Sequence, residues 1–276
     1  MKKYAALLLL LCFTIATAQK KEKIKGSKIV TVESRSIADF ERLEIEDNLE
    51  INLERGEKAA LKIEADENLQ DGIKVEERDG TLRIYSTKNA TSYKKLLVRL
   101  TYTAALRQIM AKGETKVTAI QELLLPSMNL ESTDNAALFM NINTTNFEYK
   151  ANDKVKAELN IKAEKCRLEL SKNATVKALI NATDLEIDQY QKSEAKIEGD
   201  ATTATIRLDN NATLTANKLT LKNVTLVAEG YTTSSVNASS TITISASTKA
   251  EVQLIGNPKI ELKQFSDEAK LIKKLK

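Results

Sequence analysis

Asn173-Ala174-Thr175-Val176-Lys177-Ala178-Leu179-Ile180-Asn181-Ala182-Thr183-Asp184-Leu185-Glu186-Ile187-Asp188-Gln189-Tyr190-Gln191 is one copy of a nineteen-residue unit that runs through the second half of the chain. Ala136, Val155, Ala174, Ser193, Ala212, Tyr231 and Ala250 stand nineteen apart. Two residues further on, Leu138, Ala157, Val176, Ala195 and Leu214 form a second column, and Met140, Leu159, Ala178, Ile197 and Ala216 a third. Leu130, Tyr149, Leu168, Ile187 and Ile206 keep the same phase, as do Met128, Phe147, Cys166, Leu185 and Ala204. Between these apolar positions lie Lys, Glu, Thr and Asn, the period-two alternation of strands with one dry side.

A repeat of this length built from strands is the signature of a solenoid, in which each coil buries its apolar side on its neighbours. The Leu-x-x-Leu-x-Leu pattern of leucine-rich repeats is absent. The fold class that remains is all-β, a right-handed parallel β-helix of about 19 residues per coil, the handedness following from the usual chirality of parallel connections. The column Asn135, Lys154, Asn173, Lys192, Asn211, Gly230, Lys249 is assigned to a corner, because Asn and Gly enter the left-handed region most cheaply. The register slips by about one residue between Asn223 and Ser235.

The first half reads as strand and turn. Leu43 and Ile45, then Leu49, Ile51 and Leu53, alternate with polar residues, and Ile73-Lys74-Val75 leads through Asp79-Gly80 to Leu82-Arg83-Ile84. Asp-Gly tolerates positive φ at both central positions of a type I′ turn, so a hairpin is expected there. This antiparallel or irregular region packs on the solenoid or continues it, and could cap one open end. Gly256-Asn257-Pro258 interrupts the pattern at the other end. The expected organisation is a flexible segment over 19–32, one elongated domain over 33–262 (strands and hairpins to 125, coils from 126) and a basic tail over 263–276. Ser266 to Lys276 within that tail reads as a short, helical cover for the last coil.

Residues 1–18 carry Lys2 and Lys3, an apolar run from Ala5 to Ile15 and the small-x-small ending Ala16-Thr17-Ala18. That is a secretory signal peptide, with cleavage expected between Ala18 and Gln19. Leu11 before Cys12 does not suit lipid attachment, and no later stretch approaches the roughly 20 apolar residues of a membrane helix. Export to the periplasm or cell surface is therefore expected. Loss of Lys2 and Lys3 lowers the net charge from +4 to about +2. Lys and Glu are interspersed throughout, which argues against a nucleic-acid face.

The chain contains no histidine, and only Cys166 survives processing. Ser-His-Asp and Cys-His chemistry, histidine zinc sites and thiolate metal sites are thereby removed, and no glycine-rich phosphate loop occurs. No catalytic, cofactor-binding or metal residues are assigned, and no cofactor. Cys166 falls in an apolar column and reads as a small hydrophobe. Two carboxylates could still serve a glycosidase or lyase, and Asp184, Glu186 and Asp188 share one strand face. The plainer reading takes them as solubilising residues between inward Leu185 and Ile187; the equivalent positions on the neighbouring coils, Lys165, Arg167 and Glu169 or Thr203, Thr205 and Arg207, could instead pair charges across the ladder. Tyr190 and Tyr231 are the speculative ligand-facing aromatics. The leading expectation is a non-enzymatic binding or adhesin-like protein that offers the sides of its rod to a glycan, a surface polymer or an envelope protein. The alternatives are a polysaccharide lyase or hydrolase, and a self-assembling unit joined into homo-oligomers through the solenoid ends.

Glu33-Ser34-Arg35 and Asp39-Phe40 before an alternating strand, Glu64-Ala65-Asp66-Glu67-Asn68-Leu69, Asp79-Gly80-Thr81-Leu82, the serial Asn-Ala-Thr coils and Gly256-Asn257-Pro258-Lys259 together resemble the putative auto-transporter adhesin, head GIN domain family, over roughly residues 33 to 262. The resemblance implies secreted or periplasmic proteins, mostly of Bacteroidota, with a β-helix-like fold and no established activity. It carries over no functional residue. Phe265-Ser266-Asp267-Glu268 departs from the glycine- and serine-rich ending of that family.

Overall fold

The structure is a computed structural model that describes residues 21–274; the expected signal peptide and its expected cleavage between Ala18 and Gln19 lie outside them. Strand makes up 68 % of the chain and helix 2 %, wound into a β-solenoid of about nine turns with coils of about 19 residues. Its body is a stack of long parallel strands, Ala137–Asn152, Lys156–Ser171, Thr175–Gln189, Glu194–Leu208 and Thr213–Ala228. Ala157, Val176 and Ala195 are direct ladder partners, as are Leu168, Ile187 and Ile206, and all six are buried. Nineteen residues is thus the distance at which an inward side chain meets its equivalent one coil on.

Each long strand bends round a corner without leaving the ladder. In Lys156–Ser171 the buried residues are Ala157, Leu159 and Ile161, then Cys166, Leu168 and Leu170. The phase changes from odd to even across Lys162–Lys165. One additional residue at a corner flips every later side chain to the other side of the ribbon, which is what keeps the apolar side inward after the bend.

The second kind of corner corrects the sequence assignment by one position. Positive φ falls at Asp134 (63°), Asp153 (74°), Lys172 (56°), Gln191 (59°), Asn210 (63°) and Thr248 (62°), not at the residue after each; Gly230 (78°) alone coincides with the expected column. In these turns the buried small residue closes on the carbonyl three positions back, as Ala136 N does on Thr133 O (3.2 Å) and Ala212 N on Asp209 O (3.4 Å). Positive φ at the first central residue only is the pattern of a type II′ turn. Acidic residues at such corners add a bond between coils: Asp134 accepts from Gly113 N (2.9 Å), and Asp267, at the next corner with φ of 60°, from Thr248 N (3.0 Å).

The register slip begins earlier than expected. Ladder shifts occur opposite Lys196/Glu198 and at Ala216/Thr220 and Leu221/Asn223. Consequently Thr232, 1 % exposed, takes the place in the small buried column expected for Tyr231, which is 60 % exposed.

The first half forms coils as well as a cap. Thr81–Ser86, Arg42–Ile45 and Gln108–Ala111 stack in parallel in that spatial order, and so do Leu96–Tyr102, Glu50–Arg55 and Lys116–Ala119. The earliest coil in the chain is therefore second in the stack, and the segment after Arg55 folds back over it to build the terminal one. Asp79 (φ 49°) and Gly80 (φ 71°) make the expected hairpin between Ile73–Arg78 and Thr81–Ser86. Ala60–Asp66 runs antiparallel to Leu96–Tyr102, and Val30–Arg35 antiparallel to Ala60–Asp66. Reversing strand direction ends the parallel ladder and covers the core at this end. The stretch expected to be flexible is tied in from Lys23, for Lys23–Lys25 pairs with Asn89–Thr91.

Asp66 fastens this cap. It is fully buried, and its carboxylate accepts from the backbone N–H groups of Lys28 (2.8 Å), Lys94 (3.0 Å) and Lys95 (3.0 Å). Burial pushes its pKa upward, but the three N–H bonds together outweigh burial and hold it below the ordinary value. Because the folded pKa is depressed, the stabilisation is present above the unfolded carboxylate value and disappears as pH falls through the folded one. Asp66→Ala, which leaves three part-buried backbone donors without their acceptor, is expected to cost about 2–4 kcal/mol. Urea denaturation should show that the difference between parent and variant narrows below about pH 4. A difference independent of pH would mean that the charge is not what holds the cap.

The C-terminal stretch also differs from expectation. Instead of a tail with a helix, Lys259–Phe265 and Lys270–Lys273 are strands that extend the parallel ladder on Thr233–Ala246 and Glu251–Ile255. Among the described residues neither has a partner on its outer edge, and Ile260 (44 %), Leu262 (50 %) and Phe265 (41 %) are exposed there.

Candidate binding surface

Outward positions on the stacked strands form columns of their own. Phe139, Glu158, Lys177 and Lys196 are successive ladder partners, and so are Asn141, Asn160, Leu179 and Glu198. These two columns wall a groove of about 630 Å³, with Met140, Leu159 and Ala178 in its floor. At about 4.8 Å between coils, four coils give a trough on the order of 15 Å long.

Phe139 and Leu179 are apolar residues at outward phases. Leu138, Met140, Ala178 and Ile180 beside them take the inward positions, so neither is needed by the core. Lys116 Nζ sits 5.9 Å from the Phe139 ring centroid. The charges in the trough are mutually engaged: Lys177 pairs with Glu158 (3.4 Å), and Lys196 and Lys218 both with Glu198 (3.6 and 3.5 Å). Asn160 Oδ1 is buried and, among the described residues, has no hydrogen-bond partner. An apolar ring face, an aliphatic side chain and unengaged amide groups suit a ligand that alternates C–H faces with hydroxyls.

The acidic trio lies elsewhere. Arg167 bonds Glu186 and also Asp188 (2.7 Å), while the Thr203 hydroxyl bonds Asp184. Asp188 is only 6 % exposed, and burial raises its pKa, against the pull of Arg167. Glu186 and Asp188 thus join the neighbouring coil through Arg167 and Asp184 joins it through Thr203, and Asp188 is buried instead of facing water as a solubilising residue. Cys166 is 2 % exposed, and burial pushes its thiol up to about 12, the behaviour of a core side chain. No cluster of three or more potential metal-ligating side chains occurs among the described residues.

Tyr190 and Tyr231 stand at turn corners two coils apart. Tyr190 is half-buried, Tyr231 is exposed with Lys249 Nζ 5.6 Å from its ring, and neither lines the trough. Sequence reasoning passed over Phe139 and Leu179. Their signal was an apolar residue in an outward phase, which is legible once the columns are drawn.

No helix among the described residues is long and apolar enough to cross a membrane. Among solved structures, the chain resembles a putative adhesin from Parabacteroides merdae (13 % identity, TM-score 0.62, covering 92 % of this chain and 99 % of that one). It also resembles a putative adhesin from Parabacteroides distasonis (18 %, 0.63, 92 % and 98 %). A putative lipid binding protein from the same organism gives 16 % identity and a TM-score of 0.64, over 92 % of this chain and all of that one. At such identities the likeness is one of fold. A search of curated proteins finds no match. The family described as putative auto-transporter adhesin, head GIN domain, matches residues 39–258, most of the chain and nearly all of its solenoid, and the chain belongs to that family.

Proposed function

We propose that the protein is an exported, non-enzymatic binding protein of the cell envelope that holds an extended ligand along the flank of its rod. The observation that carries this reading is the trough with Phe139 and Leu179 at outward phases, set on a wall whose register is fixed by ladder bonds on both sides of every strand. The family description and the adhesin and lipid-binding descriptions of its structural neighbours support a binding role and an envelope or extracellular location. Carboxylate chemistry is the weaker reading, because Glu186 and Asp188 are held by Arg167 and the acids of the trough by lysines. Tyr231, with Tyr190 along the same edge, would offer a second contact. The ligand class is a glycan, a surface polymer or a lipid.

The test is a screen of the mature protein against immobilised glycans and lipid vesicles, repeated with Phe139→Ser/Leu179→Ser. Removing both apolar contacts should weaken the bound ligand about tenfold or more without changing the far-UV circular dichroism. Retention of full affinity by the double variant would reject the trough as the site.

A second reading has its own observation. Lys259–Phe265 leaves an unpaired edge with Ile260, Leu262 and Phe265 exposed, which suits end-to-end joining of two copies. Sedimentation velocity should then show a concentration-dependent dimer that Leu262→Glu abolishes, and a monomer at high concentration would refute it.

A further inference from the structure

A second groove, of about 880 Å³, lies round the corner from the trough on the same strands. Asn141 belongs to the first and Asn143 to the second, with buried Ile142 between them. It follows from the out-of-order coil. Leu96–Tyr102 lies in the terminal coil and Gln108–Ala111 two coils down, so residues 103–107 must descend past the coil of Glu50–Arg55. Where a regular coil would lay a strand, this face carries a crossing segment, and a notch forms beside it.

Two arginines line the notch. Arg55 ends its strand exposed, and no carboxylate among the described residues lies within ion-pairing distance of it. Arg107 is half-buried, and its Nη1 donates to Ala104 O (2.6 Å) and Leu106 O (2.8 Å). Those bonds hold the guanidinium in place, and among the described residues Nε and Nη2 have no partner, so they remain available to an anion with little rotamer entropy left to lose. Lys162 adds a third cation, shared with Glu122 at 3.6 Å, and Glu164 is the one acid in the lining. Exposed Leu124 supplies an apolar wall. Among the described residues the arginines without an ion pair are Arg42, Arg55, Arg107 and Arg207, and Arg55 and Arg107 come together in the lining of this one concavity.

We propose that this notch is an anion subsite, which takes a carboxylate, sulfate or phosphate group borne by the same extended ligand that lies in the trough. The inference rests on the flank being a binding surface, and it narrows the ligand to an acidic polymer or an anionic amphiphile. Guanidinium groups recognise such oxyanions through paired, charge-assisted bonds.

Affinity electrophoresis of the mature protein in native gels containing dextran sulfate or uncharged dextran tests it, alongside flotation with phosphatidylcholine vesicles with and without phosphatidylglycerol. Arg55→Gln/Arg107→Gln is compared with Lys154→Gln/Lys192→Gln, which removes equal charge from two exposed corner lysines outside the notch. The expected result is retardation by dextran sulfate alone, weakened about tenfold by the arginine pair and little by the lysine pair, and declining with salt. Flotation with phosphatidylglycerol that is lost in the arginine pair likewise supports the subsite and assigns the anion to a lipid headgroup. Equal loss in both double variants would show diffuse charge, and equal retardation by both dextrans, or by neither with no flotation, would also overturn the proposal. Phe139→Ser/Leu179→Ser keeps both arginines, so a failure of the trough reading shows in the glycan and lipid screen while the arginine comparison stays readable.

Discussion

Ile187→Asp is expected to abolish the folded solenoid at 25 °C. Ile187 is fully buried and lies in the ladder between Leu168 and Ile206, themselves fully buried. A carboxylate there would have apolar neighbours above and below, and an unpaired buried charge costs several kcal/mol even after relaxation. Loss of the isoleucine itself adds the transfer and cavity costs, about 2–5 kcal/mol by comparison with Ile→Ala changes. The sum rivals the roughly 5–15 kcal/mol that holds a typical domain together. A solenoid is more vulnerable at its middle than at its ends, because each coil is stabilised chiefly by its two neighbours and a central lesion leaves two stacks with raw edges. Ile187→Ala, followed by urea denaturation and far-UV circular dichroism, should show the graded loss. Glu186→Gln, one residue away and outward, disturbs a bond to a half-exposed Arg167 and should cost less than about 1 kcal/mol. If Ile187→Asp melted within a few degrees of the parent, the column would have to be open to water.

That contrast between adjacent residues shows why the solenoid was legible in the sequence. A fixed spacing of nineteen places Leu168, Ile187 and Ile206 in register without any knowledge of the path between them, and alternation then says which side is dry. The features that escaped are those which break the spacing. Leu43 and Ile109 are ladder partners 66 positions apart, because the chain detours to build its own cap; no repeat could reveal that, nor the notch that the detour leaves. The positive-φ corner was placed one residue late because Asn marks such sites by preference, whereas the backbone here accepts Lys172, Gln191 and Thr248 at the strained position once the coil has fixed it. The C-terminal strands were missed for a different reason. Glu251 and Lys270 are ladder partners nineteen apart, so the period does continue, but charged residues masked a column already reduced to Ala250 and Ala269. Phe139 and Leu179 needed the phase of the whole wall before their outward direction meant anything.

The same reliance on columns leads to a variant for which repeat logic and local geometry predict opposite outcomes. Ile142, Ile161 and Ile180 are buried ladder partners, and Gly199 is the next position in that column. Gly199→Ile would appear to complete an isoleucine stack and add stability. The expected result is a loss of more than about 3 kcal/mol, read as a lower urea midpoint. Gly199 has φ of 115°, a backbone state that a β-branched residue enters only with strain, and a Cβ placed there would lie 2.0 Å from the carbonyl oxygen of Ile180. That oxygen belongs to the ladder and cannot move away without releasing its bonds to the next coil. Gly256 repeats the arrangement, with φ of 85° and the Ala238 oxygen 2.1 Å from the same point, so the close approach is how this solenoid turns a corner after its isoleucine column ends. The ladder shift opposite Lys196/Glu198 comes immediately before Gly199, which ties the slip in register to the flattened corner. Gly199→Ala separates the two contributions, since it carries the clash with less side-chain bulk and should account for most of the loss. A Gly199→Ile protein as stable as the parent would mean that the corner can return to negative φ, and that the slip in register owes nothing to this glycine.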